Sequence, residues 1–233
     1  MKPMTARSAI LTAVLLFLLP SCSGSREDAG FPGPSGSPMP LSGTQPAVVL
    51  PEVIEEEPVR IVMIGDSLTA RGDFASYFPE ADLCNLGHDG DTVYDVTERL
   101  GEIGEVDRIF LLCGINSLAD GLEEIVAAHY RILLDTMAAL YPEAEVYVQS
   151  VLPVSADFQI YRRCSDETIR TLNREIEVLA EEHGFIWVDL YSLFVENGAM
   201  TEAYTCDGLH LSEEGYAVWA EAIRPYIAPR NET

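Results

Sequence analysis

From residue 59 onward, short β-branched and apolar runs alternate with stretches whose apolar residues recur at helical spacing. That alternation restricts the chain to one broad architecture. Val59-Arg-Ile-Val-Met-Ile64 and the segments 81–86, 106–113, 145–151 and 185–190 have the length and composition of buried strands. Leu122, Ile125, Val126, Tyr130, Leu133, Met137 and Leu140 mark a helix between the third and fourth of them. Ile169, Leu172, Ile176 and Leu179 mark another, and Tyr216, Trp219, Ile223 and Ile227 a last one. Strand–helix–strand repeats of this length predict a parallel sheet covered by helices on both faces. In such a fold, chemistry gathers at the carboxyl ends of the strands.

Four short motifs fall on that rim. Gly65-Asp66-Ser67-Leu68 follows the first strand, Asn85-Leu-Gly-His-Asp-Gly90-Asp-Thr92 the second, and Gly114-Ile-Asn116-Ser117 the third. Asp207-Gly-Leu-His210 follows the last strand and is expected to open the final helix. Each alone reads as a turn or a helix cap. Together they supply what acyl transfer needs. A Ser hydroxyl is a weak nucleophile until a base takes its proton, and the base needs a partner that fixes its tautomer. Asp207 and His210 are close enough in sequence for one tight turn to join carboxylate and imidazole. The oxyanion of a tetrahedral intermediate needs preorganised donors. The backbone N–H groups of Ser67 and Gly90 and the amide of Asn116 are candidates. Gly90 allows close approach of backbone without an intervening side chain.

In this order, over residues 59–228, the four motifs resemble blocks I, II, III and V of the SGNH (GDSL) hydrolases. Gly65-Asp-Ser-Leu-Thr-Ala-Arg-Gly-Asp-Phe74, Gln149-Ser-Val-Leu-Pro153 and Tyr216-Ala-Val-Trp219 are similar to the bacterial branch related to platelet-activating-factor acetylhydrolase subunits. The resemblance implies a three-layer α/β/α, flavodoxin-like fold with five parallel strands. It implies a serine esterase with Ser67 as nucleophile, Asp207 and His210 completing the triad, and Ser67, Gly90 and Asn116 forming the oxyanion hole. Such chemistry needs neither cofactor nor metal. Two departures stand out. Ser117 occupies the place where the family commonly has Asp, and His88-Asp89 replaces smaller or apolar residues. His88 reads as a solvent-facing loop residue, and His129 and His183 as structural. The loops 68–80, 115–121 and 154–166 are short, which predicts an open site for small acyl groups, such as acetyl esters of carbohydrates or small lipids. Phe158, Tyr161, Arg162 and Arg163 are candidates for one wall.

Ahead of this domain, placed at 59–230, lie two segments of different character. Lys2 and Arg7 precede an uncharged apolar run, 10–19, too short for a spanning helix of about 20 residues. Leu19-Pro20-Ser21-Cys22 resembles a bacterial lipobox, so 1–21 read as a lipoprotein signal peptide and Cys22 as the lipidated new N-terminus. Residues 22–58, rich in Pro, Gly and Ser, read as a tether. An exported, membrane-anchored envelope lipoprotein follows as an expectation, with the membrane engaged only through that lipid. Removing Lys2 and Arg7 with the leader leaves 12 basic residues against 38 acidic ones, a formal charge of −26. A surface of that sign disfavours nucleic acid and anionic lipid as partners. Of the four later cysteines, Cys84 and Cys113 lie in apolar strand runs and read as buried thiols. Cys164 and Cys206 lie in loops, where a disulfide and two separate thiols are both open outcomes.

Rival readings explain less. No Gly-rich phosphate loop with its Lys is present, nor a Gly-x-Gly-x-x-Gly after the first strand. Lys2 is the only lysine, which excludes a phospho-receiver site that depends on one. His88, Asp89, Asp91, Asp207 and His210 are hard-ligand types, but a Ser beside an Asp–His pair accounts for the same residues more simply. A catalytically silent carbohydrate- or lipid-binding lipoprotein on this scaffold would have no need of all three of Ser67, Asp207 and His210.

Overall fold

The structure, a computed structural model, describes residues 58–227 apart from Glu123 and Arg163. The expected signal peptide, the lipidation site at Cys22 and the tether up to residue 57 lie outside the described residues. Five strands, β1 (Arg60–Gly65), β2 (Asp82–Gly87), β3 (Arg108–Leu112), β4 (Glu145–Gln149) and β5 (Ile186–Val188), form one sheet in the order β2-β1-β3-β4-β5. Every neighbouring pair is parallel. This is the flavodoxin-like strand order, with its switch point between β1 and β3.

The connecting helices are α1 (Ser67–Ala70), α2 (Phe74–Tyr77), α3 (Val93–Glu98), α4 (Ile115–Ala119) and α5 (Val126–Leu140). They continue with α6 (Ala156–Arg162), α7 (Asp166–Glu182), α8 (Tyr191–Phe194) and α9 (Glu213–Ile227). A two-stranded antiparallel ribbon, β6 (Val195–Glu196) and β7 (Ala199–Met200), follows α8.

Strand alternation divides the core into two layers. Val62, Ile64, Ile109 and Leu111 face Val96 of α3, Tyr130 and Leu133 of α5, and Ile169 and Ile176 of α7. Ile61, Met63, Phe110 and Leu112 face Leu68 of α1, Phe74 of α2, and Trp219 and Ile223 of α9. Because β1 and β3 are covered on both sides they read as continuous apolar runs, and each fully buried side chain contributes about 1.5–3 kcal/mol. Arg108 closes the far end of the second layer. Its Nη1 donates to the carbonyls of Tyr226 (3.0 Å) and Ile227 (3.2 Å), and its Nε donates to Glu145 (3.0 Å). A cation there complements the C-terminal end of α9.

One expectation changes, and one open alternative is decided. Cys84 is exposed rather than buried, because β2 is an edge strand whose Asp82 and Cys84 side is uncovered; Cys113 is buried as expected. Cys164 lies in the core and Cys206 on an exposed loop, and no disulfide joins them. The sequence reading also passed over α3, which is too short for periodicity to reveal. Its signal is the capping box: the Thr92 side chain accepts the N–H of Asp95, and the Asp95 carboxylate accepts the N–H of Thr92.

Candidate active site

Ser67 stands where β1 gives way to α1. Gly65 is required there, since a Cβ on it would lie 1.9 Å from the carbonyl oxygen of Leu112. Asp66 caps α1, its Oδ1 accepting the N–H of Leu68 at 3.0 Å. The side chain of Asn85 donates to the carbonyls of Thr69 (2.8 Å) and Gly72 (3.0 Å), which fixes the short helix against β2. The hydroxyl of Tyr216, on α9, donates to the carbonyl of Leu68 at 2.8 Å. The nucleophile candidate is thus held by β1, β2 and α9 together.

His210 arrives on a loop between Thr205 and Leu211, which pair as an isolated bridge. Thr205 Oγ1 accepts the N–H of Gly208 (2.8 Å) and donates to the carbonyl of His210 (2.9 Å). Asp207 Oδ1 accepts the N–H groups of Leu209 (3.0 Å) and His210 (2.8 Å), the turn expected of an Asp at this spacing. Its other oxygen lies 2.7 Å from His210 Nδ1, and His210 Nε2 lies 3.1 Å from Ser67 Oγ. Gly208 has φ +91°, and a Cβ there would sit 2.3 Å from Ser155 Oγ, so the turn closes only with glycine. The motif itself stays in the loop; α9 begins at Glu213.

Partial burial pushes the Asp207 carboxyl upward. The hydrogen bonds from the His210 ring and from the backbone N–H groups of His210 and Leu209 outweigh that and hold it at about 2. A depressed carboxylate contributes stability that is complete above its unfolded value of 3.8 and is lost progressively as pH falls from there through about 2. Asp207 therefore stays ionised well below neutral pH, available to hold the His210 ring through Nδ1.

The oxyanion candidates lie on the same rim. Gly90 has φ +86° with open space where a side chain would project. Neither its N–H nor that of Ser67 is spent on an acceptor among the described residues. One N–H of the Asn116 amide donates to the carbonyl of Asp91 at 3.0 Å, which ties the start of α4 to the loop of Gly90. A second N–H remains for an incoming oxygen. Ser117 is fully buried and accepts the N–H of Val93 at 3.1 Å, so it anchors the start of α3. His88 is exposed, as expected.

Sequence reasoning missed the burial of Asp66. Its Oδ2 has no partner, and desolvation, with smaller contributions from Asp91 and Asp89, pushes the carboxyl up to about 7. From its ordinary value of 3.8 up to about 7, the folded state keeps a proton that the unfolded state releases, so stability falls as pH rises through that window. Asp66→Asn is expected to resist unfolding better than the parent at about pH 8, by on the order of 4 kcal/mol at most, with little advantage at about pH 4. Urea unfolding of both proteins at the two pH values checks this. An advantage that does not grow with pH would contradict it.

A five-stranded parallel sheet between two helical layers, with Ser, His and Asp in contact at its carboxyl edge, is the three-layer α/β/α architecture of the SGNH fold. The chain belongs to the GDSL-like lipase/acylhydrolase family, whose model matches residues 63–218. Among solved structures it is similar to a candidate platelet activating factor from Streptococcus pneumonia, at 26% identity and a TM-score of 0.68, over 76% of this chain and 87% of the other. It is also similar to a GDSL-like lipase from Bacteroides thetaiotaomicron (26% identity, TM-score 0.61, 72% and 87% covered). A lipase/acylhydrolase from Enterococcus faecalis shares the fold at 22% identity (TM-score 0.60, 74% and 100% covered). No curated protein matches the sequence. The protein is accordingly a hydrolase of the esterase type.

Proposed function

We propose that the protein is a serine esterase that cleaves short-chain acyl esters, acetyl groups above all, from carbohydrates or small lipids. Ser67 attacks the ester carbonyl while His210 takes its proton, and Asp207 holds the imidazole and stabilises the imidazolium. The oxyanion is received by the N–H groups of Ser67 and Gly90 and by the free N–H of Asn116. Collapse of the tetrahedral intermediate expels the alcohol, protonated by His210, and leaves Ser67 acylated. Water, deprotonated by His210, then attacks the acyl-enzyme and releases the acid.

The observation that carries this reading is the unbroken contact from Asp207 through His210 to Ser67, at 2.7 and 3.1 Å. Preference for small acyl groups rests on the short loops of the rim. Beside Asp207 a cavity of about 640 Å³, bordered by Phe158, Met200, Cys206 and Gly208, offers room for the alcohol portion. A chain-length series of p-nitrophenyl esters, run beside acetylated sugars, tests the substrate. kcat/KM should be highest for acetyl and fall steadily beyond butyryl, and a maximum at long chains would refute the assignment.

The reading includes an envelope location, with Cys22 lipidated after removal of residues 1–21 and the domain held outside the cytoplasm on its tether. It is supported by the sequence from Leu19 to Cys22 and by the Pro/Gly/Ser composition that follows. Among the described residues no helix is long and apolar enough to cross a membrane. Expressed in bacteria with its own leader, the parent should partition into detergent, whereas Cys22→Ala should stay uncleaved or enter the aqueous phase. Cleaved Cys22→Ala that still partitions like the parent would rule the lipid anchor out.

A further inference from the structure

The loop between β2 and α3 carries Gly90, and its two flanking acids are gripped very differently. On one side Asp89 meets Arg71, at 3.3 Å to Nε and 3.1 Å to Nη2, with both side chains about half exposed. Exposed pairs of this kind are screened by water and contribute too little to hold a backbone in place. On the other side Asp91 meets Arg99, and each side chain is only 13% exposed. Arg99 donates to Asp91 Oδ2 through both Nε (2.8 Å) and Nη2 (2.5 Å). The same Nη2 reaches the carbonyl of Leu86 in β2 (3.2 Å), and Nη1 reaches Glu102 (3.2 Å). The carbonyl of Asp91, in turn, is the acceptor of the Asn116 amide.

Asp91 therefore adjoins two of the three candidate oxyanion donors, Gly90 in sequence and Asn116 by hydrogen bond. It follows Gly90 directly, so its placement fixes the chain on the far side of Gly90, one residue beyond the 89–90 peptide that presents the Gly90 N–H, and its carbonyl orients the Asn116 side chain. We propose that Arg99 is a positioning residue for ester hydrolysis, acting through Asp91 to align the Gly90 and Asn116 donors with the developing oxyanion. The inference rests on the serine-esterase reading above and adds to it a residue remote from the substrate. A largely buried carboxylate that loses its guanidinium partner turns towards water or takes up a proton, and either response shifts the loop. Displacements of about 1 Å at a reacting centre cost about 10- to 100-fold in rate.

The test compares the parent with Arg99→Ala, Arg99→Lys and Asp91→Asn, all assayed well below their melting temperatures. Three quantities are read: kcat and KM on p-nitrophenyl acetate, and the rate of Ser67 labelling by a fluorophosphonate, whose phosphoryl oxygen occupies the same hole. Arg99→Ala and Asp91→Asn should lose about 10- to 100-fold in kcat and in labelling rate, with KM nearly unchanged. Arg99→Lys keeps the charge but not the fork and should fall between them and the parent. Guanidinium at concentrations far below denaturing ones should restore part of the kcat of Arg99→Ala and none of that of Asp91→Asn. If Arg99→Ala does not fold, the other two variants decide. Variants that melt earlier but keep kcat and labelling within about twofold of the parent would overturn the proposal while leaving the esterase reading intact. A parent that is not labelled at Ser67 would overturn both.

Discussion

Replacing Ser67 by Ala is expected to abolish ester hydrolysis while leaving the protein folded. Ser67 is 5% exposed, and its hydroxyl lies 3.1 Å from His210 Nε2. Alanine fits the same space at the start of α1 and removes only that hydrogen bond, worth about 1 kcal/mol. The catalytic loss is of a different order. Without a nucleophile the Asp–His pair has nothing to activate, and loss of a triad member lowers kcat by on the order of 10⁶. Melting temperature and hydrolysis of p-nitrophenyl acetate, measured on the same sample, separate the two effects. A substantial residual rate in a folded Ser67→Ala variant would mean that another group attacks the ester.

The second large effect is expected at Asn116. Its amide ties down the Asp91 carbonyl and is also proposed to receive the oxyanion, so an effect on activity alone would not tell the two roles apart. Magnitudes do. Losing the bond to Asp91 costs about 1 kcal/mol of stability. Losing an oxyanion donor removes an interaction with charge that exists only in the transition state. Asn116→Ala should accordingly lower kcat by roughly 10² to 10³, or about 3 to 4 kcal/mol, with KM nearly unchanged. Ser117→Ala is the control. It breaks the 3.1 Å bond to the N–H of Val93 and should lower the melting temperature while leaving kcat close to the parent. If Ser117→Ala proved the slower enzyme, the hole would have been drawn around the wrong residue.

The layered architecture was legible because β1, β3 and β4 are buried on both faces, so that Val62 and Met63 alike had to be apolar. Asp207 and His210 were legible for a local reason: three residues is the span of one Asx turn, and the turn forms. What escaped depends on the third dimension. Cys84 looks like a core thiol from its neighbours, and only the place of β2 at the sheet edge exposes it. Asp66 looks like a plain cap until folding buries it completely and raises its carboxyl to about 7. Arg99 lies outside the four rim motifs, in a charged stretch of the sequence. Its reach back to Asp91 becomes visible only when the turn after α3 brings the guanidinium beneath the loop.

The claim that Ser67 is activated by His210 is tested most directly by mapping the covalent adduct of a fluorophosphonate probe. Tryptic cleavage after Arg60 and Arg71 releases the peptide Ile61–Arg71, in which Ser67 is the only serine. The account predicts one adduct per chain, on Ser67 of that peptide, formed in the parent and essentially absent from a folded His210→Ala variant. An adduct on any other peptide, or labelling of Ser67 that proceeds at the parent rate without His210, would contradict it.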